Sequence, residues 1–346
     1  MPSLYAGEGT GMTTAFFRKF LYFRTSNWYN KVVPCFSISF GAREAPSMKR
    51  LLLIYNPNAG RQKVKPHLAA ILDVFAAEGY LTTVYPTQAQ GDATHAASAL
   101  AAGYDRLVCC GGDGTLNETV TGLMCIPEHL RPVLGYIPTG STNDFSRNLS
   151  LPRGMEKMAA VACGGIPHPC DLGTANGHWF TYVAAFGLFT DVSYATPQST
   201  KNHLGHMAYV LEGASRLAMP AKAYKIRVEA EGVSVEDEFI YGMVGNTVSV
   251  GGLLNLPSDV VKLDDGRFEV LLVRKPHHAA DYQTIIRALT TQTLPENGPI
   301  LAFPASKVSF ICTEPLPWTL DGEFGGEHSI TVIENHPQAF VLTCGK

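Results

Sequence analysis

The sequence predicts an α/β domain built on a mainly parallel sheet, followed by a β-rich, largely antiparallel domain. Three observations carry that prediction. The chain has 346 residues, 46% hydrophobic and 16% charged, which is more than one average domain needs and ample for a sizeable core. From Met48 onward, short apolar runs alternate with glycine-closed helical periods, the pattern of parallel strands covered by helices. After about Asp171 the runs become β-branched and alternating and are joined by Gly, Asn and Asp turns, as antiparallel sheets are.

Taken in order, residues 1–47 lack the basic start, apolar core and small-residue cleavage site of a secretory signal, and no stretch in them holds a long amphipathic period. They are read as an extension outside the folded unit. The first strand is "RLLLIYNP" (50–57), and "VKPHLAAILDVFAAEG" (64–79) is a helix closed by glycine. "YLTTVYPT" (80–87) returns as a strand, "GDATHAASALAAG" (91–103) as a helix, "DRLVCC" (105–110) as a strand and "TLNETVTGLM" (115–124) as a helix. "RPVLGYIP" (131–138) is the next strand and leads into "TGSTNDFSRNL" (139–149). Polar, turn-rich loops thus follow successive strands, where open α/β sheets bind ligands. Further on, "HWFTYVAAFGLFTDVSYA", "KAYKIRVEAEG", "SVEDEFIYGMVGNT", "GRFEVLLVR" and "KVSFICTE" read as strands, interrupted by helices at 205–218 and 280–293.

Charge and cysteine content narrow the classes. A formal net charge of −3 gives no support to wholesale nucleic-acid binding. The eight cysteines include no C-x-x-C pair and lie mostly in apolar runs, which suits core thiols of a reducing compartment and points to the cytoplasm. No apolar run approaches the roughly 20 residues that span a bilayer, so any membrane contact would be peripheral.

The stretch "CCGGDGTLNE" (109–118) carries the first chemistry. Glycines between a strand and a helix start let a phosphate approach unpaired amide donors closely, so Gly111, Gly112 and Gly114 suit a polyphosphate cradle. An aspartate there repels phosphate unless it meets a cation, which makes Asp113 a candidate for Mg²⁺. The same residues also suit a tight turn in which Asp113 merely caps the helix. No G-x-x-x-x-G-K-[ST] occurs, and G-x-G-x-x-G fails because Asn117 holds the last glycine's place.

"GGDGTLNE", preceded by "NPNAG" (56–60) and followed by "PTGSTNDFSRNL" (138–149), resembles the diacylglycerol kinase catalytic-domain family, which includes bacterial lipid kinases and the sphingosine and ceramide kinases. The likeness runs from Met48 to the C-terminus, through "YVAAFGLFTDV", "GNTVSVGG", "LDDGRFEVLLV" and "LDGEFGG" in the family's order. A single G-G-D-G is also shared by NAD kinases and phosphofructokinases, but the ordered set is specific. The resemblance implies a three-layer ATP-binding domain of the NAD kinase and phosphofructokinase type at 48–170, with 329–344 returning to it, and a β-rich sandwich at 171–328 that takes the lipid. It implies ATP contacts from Asn56, Pro57, Asn58, Ala59, Gly60, Thr87, Gly111, Gly112, Asp113, Gly114, Thr115, Leu116, Asn117, Ser141, Asn143 and Asp144. Ser141 stands where the family more often has threonine. The resemblance also implies a Mg²⁺ held by the Lys262 carbonyl, the Asp265 carboxylate and the Arg267 carbonyl, networked with Asp113 and Asp144. Glu323 matches the catalytic base.

The chemistry asks for such a base independently, because a primary alcohol needs a carboxylate to accept its proton and cations to absorb phosphate charge. Asp321 is the next carboxylate in the same turn. Taken alone, "DGEFGG" would be a β-turn and D-D-G a hairpin turn. The implied activity is transfer of the γ-phosphoryl of Mg·ATP to a lipid hydroxyl, with diacylglycerol as leading acceptor, by a cytoplasmic enzyme acting peripherally at a membrane. The sequence leaves a homodimer open. The alternatives are an NAD kinase, which "NPNAG" and "LDGE" argue against, and a non-catalytic nucleotide-binding, membrane-associated protein, which retention of Asp113, Asp265 and Glu323 argues against.

Other residues read as structural. His168 and the His277–His278 pair lack a second ligand pair at metal spacing. Trp179, Phe180 and Tyr182 begin an alternating strand. The basic set Lys201, His203, His206, Arg216, Lys222, Lys225 and Arg227 offers either attraction to an anionic bilayer or a solvated charged face.

Overall fold

Strands buried on both faces need apolar residues at every position, and "RLLLIY", "RLVCCG" and "VLGYIP" supply them. The computed structural model describes residues 48–61, 64–188, 222–246, 249–250, 254–255, 262–291 and 298–345. The predicted helix at 205–218, residues 1–47 and four of the seven basic residues lie outside these. Strands β1 (Lys49–Tyr55), β2 (Tyr80–Pro86), β3 (Arg106–Gly111) and β4 (Val133–Pro138) form a parallel sheet in the order β2-β1-β3-β4. Helices α1 (Leu68–Ala77), α2 (Asp92–Leu100), α3 (Asp113–Met124) and α4 (Met155–Gly164) cover it.

The two faces of β1 show how the layers form. Leu51 and Leu53 pack with Ile71 and Phe75 of α1 and Ala159 and Ala162 of α4. Leu52 and Ile54 pack with Ala93 and Ala97 of α2 and Leu116 and Val120 of α3. Two-residue alternation along the strand thus feeds two helical layers. Helix α4 is absent from the sequence-based expectation. Its Met155, Met158, Ala159, Ala162 and Cys163 do recur at helical spacing against the sheet, but most are small residues that give weak hydrophobic contrast.

The sheet then continues in antiparallel pairings. Strand β5 (Ile166–Ala175) pairs with β6 (His178–Phe180), and β7 (Val183–Gly187) and β8 (Tyr224–Ala230) both pair with β9 (Val233–Gly245). After a short pair, β10 (Ser249–Val250) and β11 (Leu254–Asn255), strand β12 (Phe268–Arg274) joins β9. Helix α5 (Ala279–Thr291) follows, packing Ile285 and Ala288 inward, and β13 (Ile300–Ala305) closes the edge. Strand β14 (Lys307–Leu320) pairs first with β8, then with β7. Between the curved strands lies an aromatic core in which Phe186, Phe310 and Trp318 meet edge to face at 5.0–5.9 Å.

The long β15 (Glu323–Cys344) pairs with β14 and β5 and reaches β4 in parallel at Leu342–Leu134. The parallel and antiparallel parts therefore share one hydrogen-bonded sheet, with thirteen strands among the described residues.

Candidate active site

The order β2-β1-β3-β4 reverses direction between β1 and β3, which opens a crevice beyond the C-terminal ends of those strands. Three loops meet there. In the loop after β1, Asn56 donates its N–H to the Cys110 carbonyl (2.9 Å), accepts the Asn58 N–H on Oδ1 (2.9 Å) and donates Nδ2 to Thr115 Oγ1 (3.3 Å). Pro57 and Ala59 complete this turn. Gly60 has φ +53°, and a Cβ there would lie 1.9 Å from the Thr139 carbonyl oxygen. A Cβ on Gly140 would lie 2.6 Å from the Gly112 Cα. Only glycine lets the loops after β1, β3 and β4 close on one another. Gly111 accepts the Thr139 N–H at 2.8 Å, which fixes the third loop to the second.

Gly114 differs from these. A Cβ there would meet nothing within 4 Å among the described residues, so the protein's own packing does not demand glycine at the second residue of α3. It leaves room for a ligand where helix amides lack internal partners.

Asp113 does not cap its own helix, which starts after Gly112 without a side-chain cap. Its carboxylate instead accepts the N–H groups of Asp144 (3.1 Å) and Phe145 (3.4 Å), across the crevice floor. Burial, together with the nearby charges of Asp144 and Asp321, pushes the Asp113 pKa up to about 6 against those hydrogen bonds. Negative charge is therefore concentrated here in excess of its compensation, and a cation would relieve it. Asn143, at φ +52°, donates Nδ2 to the Gly140 carbonyl at 2.9 Å. Ser141 is exposed at the loop tip, and Thr87 is buried at the end of β2 with its N–H on the Tyr55 carbonyl. Leu116 is core: its side chain is fully buried and its N–H is spent on the Gly112 carbonyl.

The turn that carries Glu323 is held by the residue two before it. Asp321 and Gly322, both with positive φ (+51° and +86°), make the tight hairpin turn between β14 and β15, and Glu323 pairs with Leu320 at its exposed mouth. The buried Asp321 Oδ2 accepts the Thr181 N–H (2.6 Å), the Thr181 hydroxyl (2.7 Å) and Asn117 Nδ2 (2.7 Å). Its Oδ1 accepts the N–H groups of Tyr182 and Val183, both at 3.0 Å. Asn117, in the glycine-loop helix, also donates to the Trp179 carbonyl at 3.3 Å. The sequence sets Asn117 among the phosphate contacts and Asp321 as a reserve base. The geometry joins both in a clamp that ties the start of α3 to the Glu323 turn.

A second carboxylate group surrounds the 262–267 loop. Asp265 Oδ1 accepts the Arg267 N–H at 3.0 Å, and Gly266 donates to Asp171 Oδ2 at 2.7 Å. Asp171, not singled out from the sequence, also accepts the Gln338 N–H (2.8 Å) and Asn335 Nδ2 (3.2 Å), and its own N–H meets the Leu263 carbonyl (2.6 Å). Glu269 Oε2 nearby is buried without a partner among the described residues, and burial followed by the Asp265 charge pushes its pKa up to about 7. Among the described residues no three His, Cys, Asp or Glu side chains form a metal cluster. A cation here would thus draw on main-chain carbonyls and water besides Asp265, and such hard oxygen donors fit Mg²⁺.

Residues 50–175 match the family model described as diacylglycerol kinase catalytic domain. The chain is 37% identical to a diacylglycerol kinase of Bacillus subtilis (strain 168) over 281 residues, covering 81% of this chain and 91% of the relative. It belongs to the diacylglycerol kinase family. A diacylglycerol kinase of Staphylococcus carnosus (strain TM300) is 34% identical over 280 residues, covering 81% of this chain and 90% of its own. In structure, the chain is similar to a putative diacylglycerol kinase from Bacillus anthracis str. Sterne, with TM-score 0.74, 28% identity, and coverage of 88% of this chain and 98% of that one. This member of the family is a lipid kinase.

Features of this diacylglycerol kinase family member outside the crevice have structural roles. Lys222 pairs with Glu314 (3.8 Å), Lys225 with Glu236 (3.1 Å) and Arg227 with Glu229 (3.1 Å), so these three cations belong to a solvated lattice of ion pairs. The His277 and His278 N–H groups donate to Asp281 at the start of α5. Phe180 and Tyr182 are buried in the core, and the described cysteines are all free. No helix among the described residues is long and apolar enough to cross a membrane.

Proposed function

We propose that the kinase transfers the γ-phosphoryl group of Mg·ATP to the free hydroxyl of diacylglycerol, giving phosphatidic acid, at a membrane surface it meets peripherally. The observation that carries this reading is the clamp from Asn117 through Asp321 to the Glu323 turn, which sets one carboxylate against the start of the glycine-loop helix. In this assignment residues 48–170, with 329–344 returning to them, bind nucleotide, and residues 171–328 supply the acceptor side. The loops at 56–60, 111–117 and 139–144 receive the phosphates, Glu323 accepts the proton of the attacking hydroxyl, and Asp113 and Asp144 face the metal-nucleotide. Lys262, Asp265 and Arg267, supported by Asp171, would hold a structural Mg²⁺. When bound, such cations absorb the charge that develops on the transferred phosphoryl group. Phe324, beside Glu323, is an exposed aromatic side chain, which suits an acceptor with acyl chains.

Gly114→Ala tests the cradle. The variant should fold at least as well as the parent, because alanine is the better helix residue by about 0.5–1 kcal/mol. Its Mg·ATP affinity should fall roughly tenfold, ~1.4 kcal/mol, as the methyl group occupies the ligand's space. Calorimetric titration with a non-hydrolysable ATP analogue reads this directly, and unchanged affinity would place the phosphates elsewhere.

Asp265→Ala should lower turnover and raise the Mg²⁺ concentration needed for half-maximal activity, with only partial rescue at high Mg²⁺. Turnover and Mg²⁺ dependence equal to the parent's would leave the 262–267 loop as a turn alone. The acceptor itself is decided by labelled ATP and a panel of lipid alcohols in mixed micelles, with separation of the products. Phosphorylation of ceramide, sphingosine or another alcohol in preference to diacylglycerol would replace the acceptor named here.

A further inference from the structure

Asn246 directly follows β9, at the end where that strand lies beside β7. Its backbone is fully used: the N–H donates to the Tyr182 carbonyl at 2.9 Å, and the carbonyl accepts the Asn148 side-chain N–H at 3.5 Å. Its carboxamide is not. The residue is 1% exposed, yet neither Oδ1 nor Nδ2 has a hydrogen-bond partner among the described residues. Folding strips such a group of water with nothing in exchange, and an orphan of this kind in a native structure marks a place built to receive something else.

Its position says what that is. Tyr182, which receives the Asn246 N–H, donates its own N–H to Asp321, the clamp residue of the Glu323 turn. Asn148 closes the short helical turn that begins beside Asp144. Asn246 is therefore tied through its backbone to the Asp144 turn and the Glu323 turn, and it follows a strand of the antiparallel part whose Ile240 and Met243 lie in one apolar cluster with Val183. The carboxamide offers a donor and an acceptor together, and a polyphosphate, which only accepts, would leave its oxygen unpartnered. It matches an uncharged group that both donates and accepts, as a hydroxyl does.

We infer that Asn246 is an acceptor-binding residue, whose carboxamide hydrogen-bonds the polar head of the lipid alcohol and orients its hydroxyl for transfer. The inference rests on the reading of Glu323 as the base. It makes Asn246 the polar group that discriminates an alcohol from the same lipid without one, since a site that hydrogen-bonds a hydroxyl penalises its absence far more than a hydrophobic pocket can.

The test uses the full chain with Asn246→Leu and Asn246→Ala, the lipid alcohol in mixed micelles, its deoxy analogue as competitive inhibitor, and melting curves. In both variants the acceptor KM should rise about tenfold, as expected for one lost hydrogen bond that leaves a partner unpaired. The ATP KM should stay within about twofold on the same scale. The preference for alcohol over deoxy analogue should shrink, and Tm should hold or rise, because a buried unsatisfied group has been removed. A lower Tm with unchanged acceptor KM would overturn the inference and assign the carboxamide to a buried structural water. A parallel rise in both KM values with a lower Tm would overturn it as general damage. If the wild-type enzyme prefers another lipid alcohol, diacylglycerol falls as the acceptor, and the same comparison with that alcohol still decides the role of Asn246.

Discussion

Glu323→Gln should lower kcat by roughly 10² to 10⁴ fold, the usual worth of a positioned acid-base group, while the melting temperature and ATP affinity stay close to those of the parent. The expectation follows from its place in the fold. Glu323 is exposed at the mouth of the hairpin and pairs through its backbone with Leu320, so the amide keeps the strand pairing and the size of the side chain. What it removes is basicity. An interaction made only in the transition state lowers kcat and kcat/KM together, and that is the signature to look for in steady-state kinetics on a lipid that the parent enzyme turns over. A variant that keeps more than about a tenth of the parent's kcat, well above that range, would show that the proton goes elsewhere.

Asp321→Ala should behave in the opposite way, with stability lost first. Five donors converge on this buried carboxylate at 2.6–3.0 Å, three of them backbone N–H groups of Thr181, Tyr182 and Val183. Alanine strands those donors away from water. Hydrogen bonds to charged groups contribute about 1.5–3 kcal/mol each, and non-additivity brings the expected total to about 3–5 kcal/mol. For a chain of this size that is a fall in Tm of roughly 5–10 °C. Because the turn also loses its tie to Asn117, kcat should fall with it even though Glu323 is intact. Asp321→Asn keeps the shape and one acceptor oxygen, so it should fall between the parent and the alanine variant in both readouts. An Asp321→Ala enzyme that melts within a degree or two of the parent would show the clamp to be energetically idle. One that melts lower but keeps its kcat would detach the clamp from the positioning of Glu323.

In the proposed assignment the two residues divide the "DGE" turn into a buried carboxylate that holds five hydrogen bonds and an exposed one that would accept the proton. From the sequence alone, Asp321 and Glu323 are interchangeable carboxylates in one turn. What distinguishes them is burial and partners contributed by residues 117 and 181–183, which lie 204 and 138–140 positions away along the chain. The same holds for Asp113. Its place after a strand and before a helix is legible, but that it does not cap its own helix shows only once its carboxylate is found on the backbone of Asp144 and Phe145.

The basic residues show the converse. Lys222, Lys225 and Arg227 look like a cationic face in the sequence because the partners of the two lysines lie elsewhere along the chain, while Arg227 pairs with Glu229 two residues on in its own strand. Strand pairing brings Glu314 and Glu236 opposite or alongside, and the face becomes a set of ion pairs.

By itself the sequence determined the alternation of parallel strands and helices from β1 to β4, the change to antiparallel strands after Asp171, and the loops to which the proposed chemistry is assigned, because hydrophobic period and turn glycines are local properties. It did not disclose α4, whose inward face is largely Ala and Cys, or β5, whose two prolines argue against a strand until β15 pairs with it along the tolerant edge. Only the tertiary structure decided that Asn117 and Asp321 form a clamp, that Asp171 holds the 262–267 loop, that Gly114 alone among the glycines of the three crevice loops faces open space, and that the Asn246 carboxamide is buried without partners among the described residues. The reason is physical: a side chain's role depends on which donors, charges and solvent surround it, and those are set by long-range pairing that leaves no trace in residue type or spacing.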